Sequence, residues 1–293
     1  MALLEYALVG GVLYGIFFSL VGIGLNLIFG VLRMINLAHG QFVVLGGFGA
    51  WLVYQDLNLN PAFGILLAIL GAVVIGYPLY WAVVPRLQKS GDPEMLSFIL
   101  FFGLAQMIDA AMILGFGVSQ RSVPAEALGA GSLAVLGQAF PDSWWIAAAV
   151  SAIVILGLYL FLTRTRLGYA TRAVTTNRAE AMASGIDVDQ VSVLAFIIGL
   201  ALAGMAGVFV PFLLGSVSPS LGESLTTTSF AIIIIGSLGR PIGTVVGGLV
   251  FGLGTMLMET YLPSWSSLVP YALLVLIVLV RPAGLLGRAV REA

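Results

Sequence analysis

Charge is what this chain has least of. Asp, Glu, Lys and Arg make up 9% of its 293 residues, against about 25% in an ordinary soluble domain. So small a charged set cannot cover a globule of this size with solvated groups. The 12 basic and 13 acidic residues nearly cancel, leaving a net charge of −1. No basic field therefore exists to hold a nucleic acid. Cysteine is absent, which removes disulfides, thiol nucleophiles and thiolate metal sites. Histidine occurs once, as His39, so a paired-histidine zinc site cannot form. Lysine also occurs once, as Lys89, and Gln88 precedes it, so the Gly-Lys-Ser/Thr of a phosphate-binding loop is missing. The Gly-x-Ser-x-Gly elbow of serine hydrolases is missing too. These absences predict no catalytic constellation, no metal site and no cofactor held by this chain.

Apolar residues and glycine are abundant. The chain is 60% hydrophobic and carries 37 glycines, well above the usual share of about 7%. Apolar runs near 20 residues cross the hydrocarbon of a bilayer, and glycine lets helices approach closely in lipid. The fold class expected is an all-α, polytopic membrane bundle of 8–9 transmembrane segments with broken, Gly-rich helices. It forms one transmembrane domain over residues 1–293. The candidate spans are Leu8–Leu32, Ile35–Val53, Ala62–Val84, Met95–Gly117, Ser143–Leu162, Val191–Leu214, Ser229–Leu238, Ile242–Met258 and Ser266–Val280. Ser229–Leu238 is short. It either crosses by extending back through Thr226-Thr227-Thr228 or forms a half-helix. The first run lacks a basic start, so it reads as a retained span, not a secretory leader. Residues 120–142 read as a loop, and Trp144-Trp145 as an interfacial anchor.

Basic residues orient the bundle. Segment 163–189 holds Arg164, Arg166, Arg172 and Arg178, and the tail holds Arg281, Arg288 and Arg291. Both belong in the cytoplasm, as does the loop with Arg86 and Lys89. Nine crossings then place the N-terminus outside.

Polar groups within spans are functional candidates. Asn36, His39, Gly40 and Gln41 sit between two apolar runs, with Asn36, His39 and Gly40 on one helical face. They form either a tight turn or part of a substrate path. A second interruption holds Gly236, Gly239, Arg240 and Pro241. Gly/Pro-interrupted segments in both halves of a chain point to a transport pathway. Gln106 and Asp109 lie one turn apart in the fourth span and serve an interhelical bond, substrate contact or cation coupling. Small-residue pairs (Gly11/Gly15, Ala203/Gly207, Gly243/Gly247 and Gly248/Gly252) serve packing within the subunit or between subunits. The residues alone leave a secondary transporter or channel for a small solute as an alternative, with Asp109 as the carrier.

Segment 163–189 is the most polar stretch. Ala179–Ala183 are mostly strong helix formers, and Gly185 stands where a glycine would end a helix. A helix around Ala173–Ser184, lying between spans, is available to a soluble partner.

Four blocks carry a family resemblance. They are Gly22 through Gly40, including Asn36-Leu37-Ala38-His39-Gly40; Arg172 through Ile186; Gly236 through Gly248; and Arg281-Pro282-Ala283-Gly284-Leu285-Leu286-Gly287. In order and nearly end to end, they resemble the H-type permease subunit of bacterial branched-chain amino-acid ABC importers. The resemblance implies an inner-membrane permease with a cytoplasmic C-terminus. It would form half of a pathway for branched-chain amino acids or a similar small polar or organic solute; relatives carry urea, short amides or aromatic acids. Implied partners are a second, M-type permease, two cytoplasmic ATPases that bind the ATP and Mg, and an external solute-binding protein. The second block is similar to the family's coupling loop, which makes Arg172, Asn177, Arg178, Glu180, Ala181 and Gly185 the candidate ATPase contacts. Asn36, His39, Gly40, Gln41, Gly236, Gly239, Gln106 and Asp109 are the candidate substrate pathway.

Overall fold

A computed structural model describes residues 1–287. The last residues, with Arg288 and Arg291, lie outside the described residues. Helix α1 (Ala2–Leu32) is the central post. Its 31 residues span about 46 Å at 1.5 Å per residue. It ends where Arg33 turns left-handed (φ 54°) and its N–H bonds Phe29 O. Helix α2 (His39–Gln55) follows a non-helical stretch.

Helix α3 (Gly64–Gln88) contains Pro78 and Pro85, each of which removes an internal hydrogen bond. Helix α4 (Pro93–Phe116) starts on Asp92, whose side chain accepts from the Met95 N–H at 3.0 Å. It stops at Gly117, φ 80°. The loop expected over 120–142 contains a hairpin, β1 (Ser132–Val135) against β2 (Gln138–Pro141). Leu136 and Gly137 both have positive φ, the geometry that matches strand twist in a two-residue turn. Residue 121 pairs with residue 217, tying this loop to the second half.

Helix α5 (Asp142–Arg164) leads into α6 (Arg166–Thr176) and α7 (Arg178–Ala183). Then come α8 (Val188–Gly207), a one-turn α9 (Val210–Leu213), α10 (Leu221–Gly236), α11 (Pro241–Tyr261) and α12 (Val269–Val280).

Among the described residues, seven segments are long and apolar enough to cross a bilayer: α1, α3, α4, α5, α8 with α9, α11, and α12 with the 3₁₀ turns before it. Helices α2 and α10 are shorter, at 17 and 16 residues. At about 25 Å each they fall short of a hydrocarbon core of about 30 Å. Ser229–Leu238 thus does extend back, through the three threonines to Leu221.

Burial runs from the inside out. The apolar stretch of α1 is 89% buried and that of α12 only 6%. Helices α3, α4 and α12 expose Leu, Ile, Val and Phe on their outer faces, as a lipid solvent permits. In the core, α11 packs along α1 through glycine. A Cβ on Gly11 would lie 2.9 Å from Leu253 Cα, and one on Gly15 2.8 Å from Leu249 Cα. These small-residue pairs therefore serve packing within the subunit, as Gly207 does against Val43 and Gly46. Trp144 meets Tyr14 of α1 edge-on, with ring centroids 4.8 Å apart, so it packs inward.

Candidate functional site

The path from α1 to α2 turns back into the bundle. The His39 ring lies against the middle of α1, its Nε2 2.8 Å from Val21 O. Val21 sits about 16 Å short of the end of α1. Helix α2 therefore begins well inside the bundle. A carbonyl can only accept, so Nε2 carries the proton and Nδ1 is left as an acceptor. Nδ1 is buried without a partner among the described residues.

Its neighbours share that condition. Asn36 is buried, and its Oδ1 accepts from the Ala38 N–H at 3.1 Å, which shapes the turn before α2. Among the described residues its Nδ2 has no partner, nor does Gln41 Oε1. Buried polar atoms normally find partners, and an unmade bond costs about 1–3 kcal/mol. Three such atoms fall within six residues at one helix interruption.

Helix α10 closes the site from the other side. Its first turns run antiparallel to α2. The Gly40 N–H donates to Thr226 Oγ1 at 2.9 Å, and that hydroxyl lies 2.9 Å from Gly222 O and 3.2 Å from Leu37 O. A Cβ on Gly40 would sit only 2.6 Å from the Thr226 nitrogen, so glycine is what allows this approach. Two short helices thus meet at their N-terminal turns inside the bundle.

The second interruption lies elsewhere on α1. Asn26 Nδ2 donates toward Ser237 O (3.2 Å), Arg240 O (3.1 Å) and Thr244 Oγ1, and its Oδ1 accepts from the Gly239 N–H at 2.5 Å. Gly239 has φ 73° and Gly236 packs on Gly243. Residues 22, 26 and 30 of α1 face this turn, whereas Val21 and Gly24 face His39. The two interruptions therefore share one helix but sit on different faces of it. Asn26 did not emerge from sequence reasoning; its signal was an amide in the middle of an otherwise apolar span.

Gln106 and Asp109 lie apart from both, on α4. Gln106 is exposed and Asp109 half-buried, with Oδ1 buried and unpartnered among the described residues.

The polar segment between α5 and α8 forms two helices where one was expected. Asn177 is extended (φ −153°, ψ 107°) and caps α7, its Oδ1 accepting from the Ala179 and Glu180 N–H groups at 3.0 and 3.3 Å. Its amide donates to Glu180 Oε1 at 2.6 Å. Gly185, φ 80°, ends α7, with the Ile186 N–H bonded to Ala181 O and its own N–H to Met182 O. Arg172 is exposed, 4.8 Å above the Tyr169 ring. Arg178 ties α7 inward instead: it donates to Gln88 Oε1 (3.0 Å) and Ser192 Oγ (3.3 Å) and lies 3.7 Å from Asp189. Ala181 also points into the subunit, leaving Ala179, Met182 and Ala183 on the outer face.

Interrupted helices meeting inside a bundle, with buried polar groups at the break, define a membrane transport component. A family model described as "Branched-chain amino acid transport system / permease component" matches residues 7–278, and the chain belongs to that family. It is an ABC-transporter permease subunit, a transport component without an ATPase domain. It is similar to the high-affinity branched-chain amino acid transport system permease protein LivH of Salmonella typhimurium, 27% identical over 288 residues that cover 95% of this chain and 94% of the relative. BraD of Pseudomonas aeruginosa is 27% identical over 291 residues, 96% of this chain and 95% of BraD. A probable LivH of Methanocaldococcus jannaschii is 24% identical over 293 residues, 95% of this chain and 91% of the relative. No solved structure matches the chain significantly.

Proposed function

We propose that this subunit forms half of a translocation pathway for branched-chain amino acids or a similar small polar solute, gated where α2 meets α10. The observation that carries this reading is the group of three buried, unpartnered polar atoms at Asn36, His39 and Gln41. Gly40 sits within that contact; Gly236 and Gly239 shape the second break; Gln106 and Asp109 add polar groups on α4. Nine segments cross: α1 to α5, α8, α10, α11 and α12, with the non-helical chain before α2 and before α10 making up the length those two short helices lack. The N-terminus lies outside, and the chain is one domain in the cytoplasmic membrane.

Its partners are a second, M-type permease, two cytoplasmic ATPases that supply the ATP and Mg chemistry, and an external binding protein. Segment 163–189 is the coupling element. Arg172, Asn177, Glu180 and Gly185 stand at its surface, while Arg178 and Ala181 anchor it to the bundle. A push on α7 then travels through Arg178 to the ends of α3 and α8, which are packed elements rather than a floppy loop.

The test is uptake of radiolabelled leucine by the complete complex in vesicles. His39→Ala and Asn36→Leu should cut ATP-driven uptake at least tenfold while the complex still co-purifies. Normal uptake in both variants would return this turn to a purely structural part.

A further inference from the structure

We infer that a pocket at the Arg33 end of α1 binds the phosphate headgroup of an anionic phospholipid. The pocket has a volume of about 710 Å³ and lies between α1, α6, the turn from α10 to α11, and Leu286. Among the described residues, three of those lining it are arginines, Arg33, Arg172 and Arg240, and none is Asp or Glu. Among the described residues, none of the three has a carboxylate within 4.0 Å; the one ion pair there is Arg178 with Asp189. Arg33 donates to Thr175 O at 3.2 Å and Arg240 to Leu286 O at 2.8 Å. A guanidinium has five N–H donors, so each keeps most of them for a ligand. Arg172 rests on the Tyr169 ring and uses no N–H in doing so.

Three positive charges around one open pocket, all on exposed side chains, favour an anion there. Helix α11 adds to the demand. Ile242 and Gly243, in its first turn, line the same pocket, and the helix has no side-chain cap.

The remaining walls decide which anion. Leu162 lines the pocket from α5, and Leu238 and Ile242 stand at its rim, 45% and 57% exposed. A free phosphate has no use for that apolar border, whereas a phospholipid lays its chains along it. Basic pockets between membrane helices near the bilayer surface suit acidic headgroups. A bridging phosphate would also tie α6, which leads into α7, to the turn held by Asn26.

Native mass spectrometry of the full-length chain in detergent tests this, with phosphatidylglycerol, phosphatidylcholine and inorganic phosphate as probes. Phosphatidylglycerol should be retained at least tenfold more strongly than phosphatidylcholine. Arg33→Gln and Arg172→Gln should each lower that preference about fivefold, the effect of about one basic residue near the membrane surface. Arg240→Lys keeps the charge and should retain the preference, which separates ligand loss from misfolding. Equal retention of the two lipids, or a preference untouched by either Gln variant, overturns the proposal. Displacement by millimolar phosphate makes this a soluble-anion site and overturns the lipid assignment. Loss of the lipid whenever the ATPases are bound assigns the pocket to a protein partner, and overturns it as well.

Discussion

Gly40→Ala is the sharpest probe of the α2–α10 contact. The added methyl would stand 2.5 Å from Thr226 Oγ1 and 2.6 Å from the Thr226 nitrogen, and would overlap Gly222 O outright. Ordinary contact begins near 3.4 Å, so the helices must separate by well over an ångström. Two of the three atoms are backbone and cannot swing aside. Overpacking of this kind costs about 1–3 kcal/mol. Separation also strains the Gly40 N–H to Thr226 bond, worth about 1 kcal/mol. Together about 2–4 kcal/mol is at stake, or on the order of 5–10 °C in a thermal unfolding midpoint. Gly49→Ala is the matched control on the same helix, because nothing lies within 4 Å of its Cβ position. That change should be neutral or slightly stabilising, since alanine is favoured over glycine in a helix by about 1 kcal/mol. The assay is thermal aggregation of the purified complex, with leucine uptake in vesicles alongside. If Gly40→Ala and Gly49→Ala behave alike in both measurements, the close contact of α2 with α10 is not as described and the gating proposal loses its footing.

Three further outcomes follow from the geometry. Asn26→Leu strands the Gly239 N–H and frees the turn after α10, so it should destabilise the fold by about 2–3 kcal/mol and raise the maleimide labelling of a cysteine placed at the buried Ser237; unchanged labelling would refute the clamp. Ala183→Trp or Met182→Arg, on the outer face of α7, should abolish co-purification of the ATPases while the spans stay folded, and normal ATP hydrolysis coupled to uptake would remove α7 from the coupling role. A cysteine at Thr176 should resist a membrane-impermeant maleimide in intact cells while one at Ala130 reacts, and the reverse pattern would invert the proposed orientation.

Much of the architecture is written locally. Hydrocarbon charges a cost for each polar residue, so runs such as Leu8–Leu32 and Met95–Gly117 declare themselves without any knowledge of their neighbours. Caps are equally local: Asp92 bonds an amide three residues on, and Gly185 takes a φ that other residues avoid. The two interruptions, around Asn36–Gln41 and Gly236–Pro241, are visible because glycine, proline and polar side chains break an apolar pattern.

Tertiary structure decided what those breaks touch. Asn26 meets the Gly239 turn 213 residues away, and Gly40 meets Thr226 across 186. Periodicity within a window cannot report such pairings. It could not tell that Ala181 and Arg178 face the bundle while Met182 faces out, because a short alanine-rich helix has no clear apolar stripe. Nor could it show that three arginines from α1, α6 and the turn before α11 would share one pocket, since charges far apart along the chain become neighbours only when the helices between them pack. Solvation energy is a property of each residue and so can be read along the chain. Partner choice is a property of two surfaces, and exists only once both have been folded.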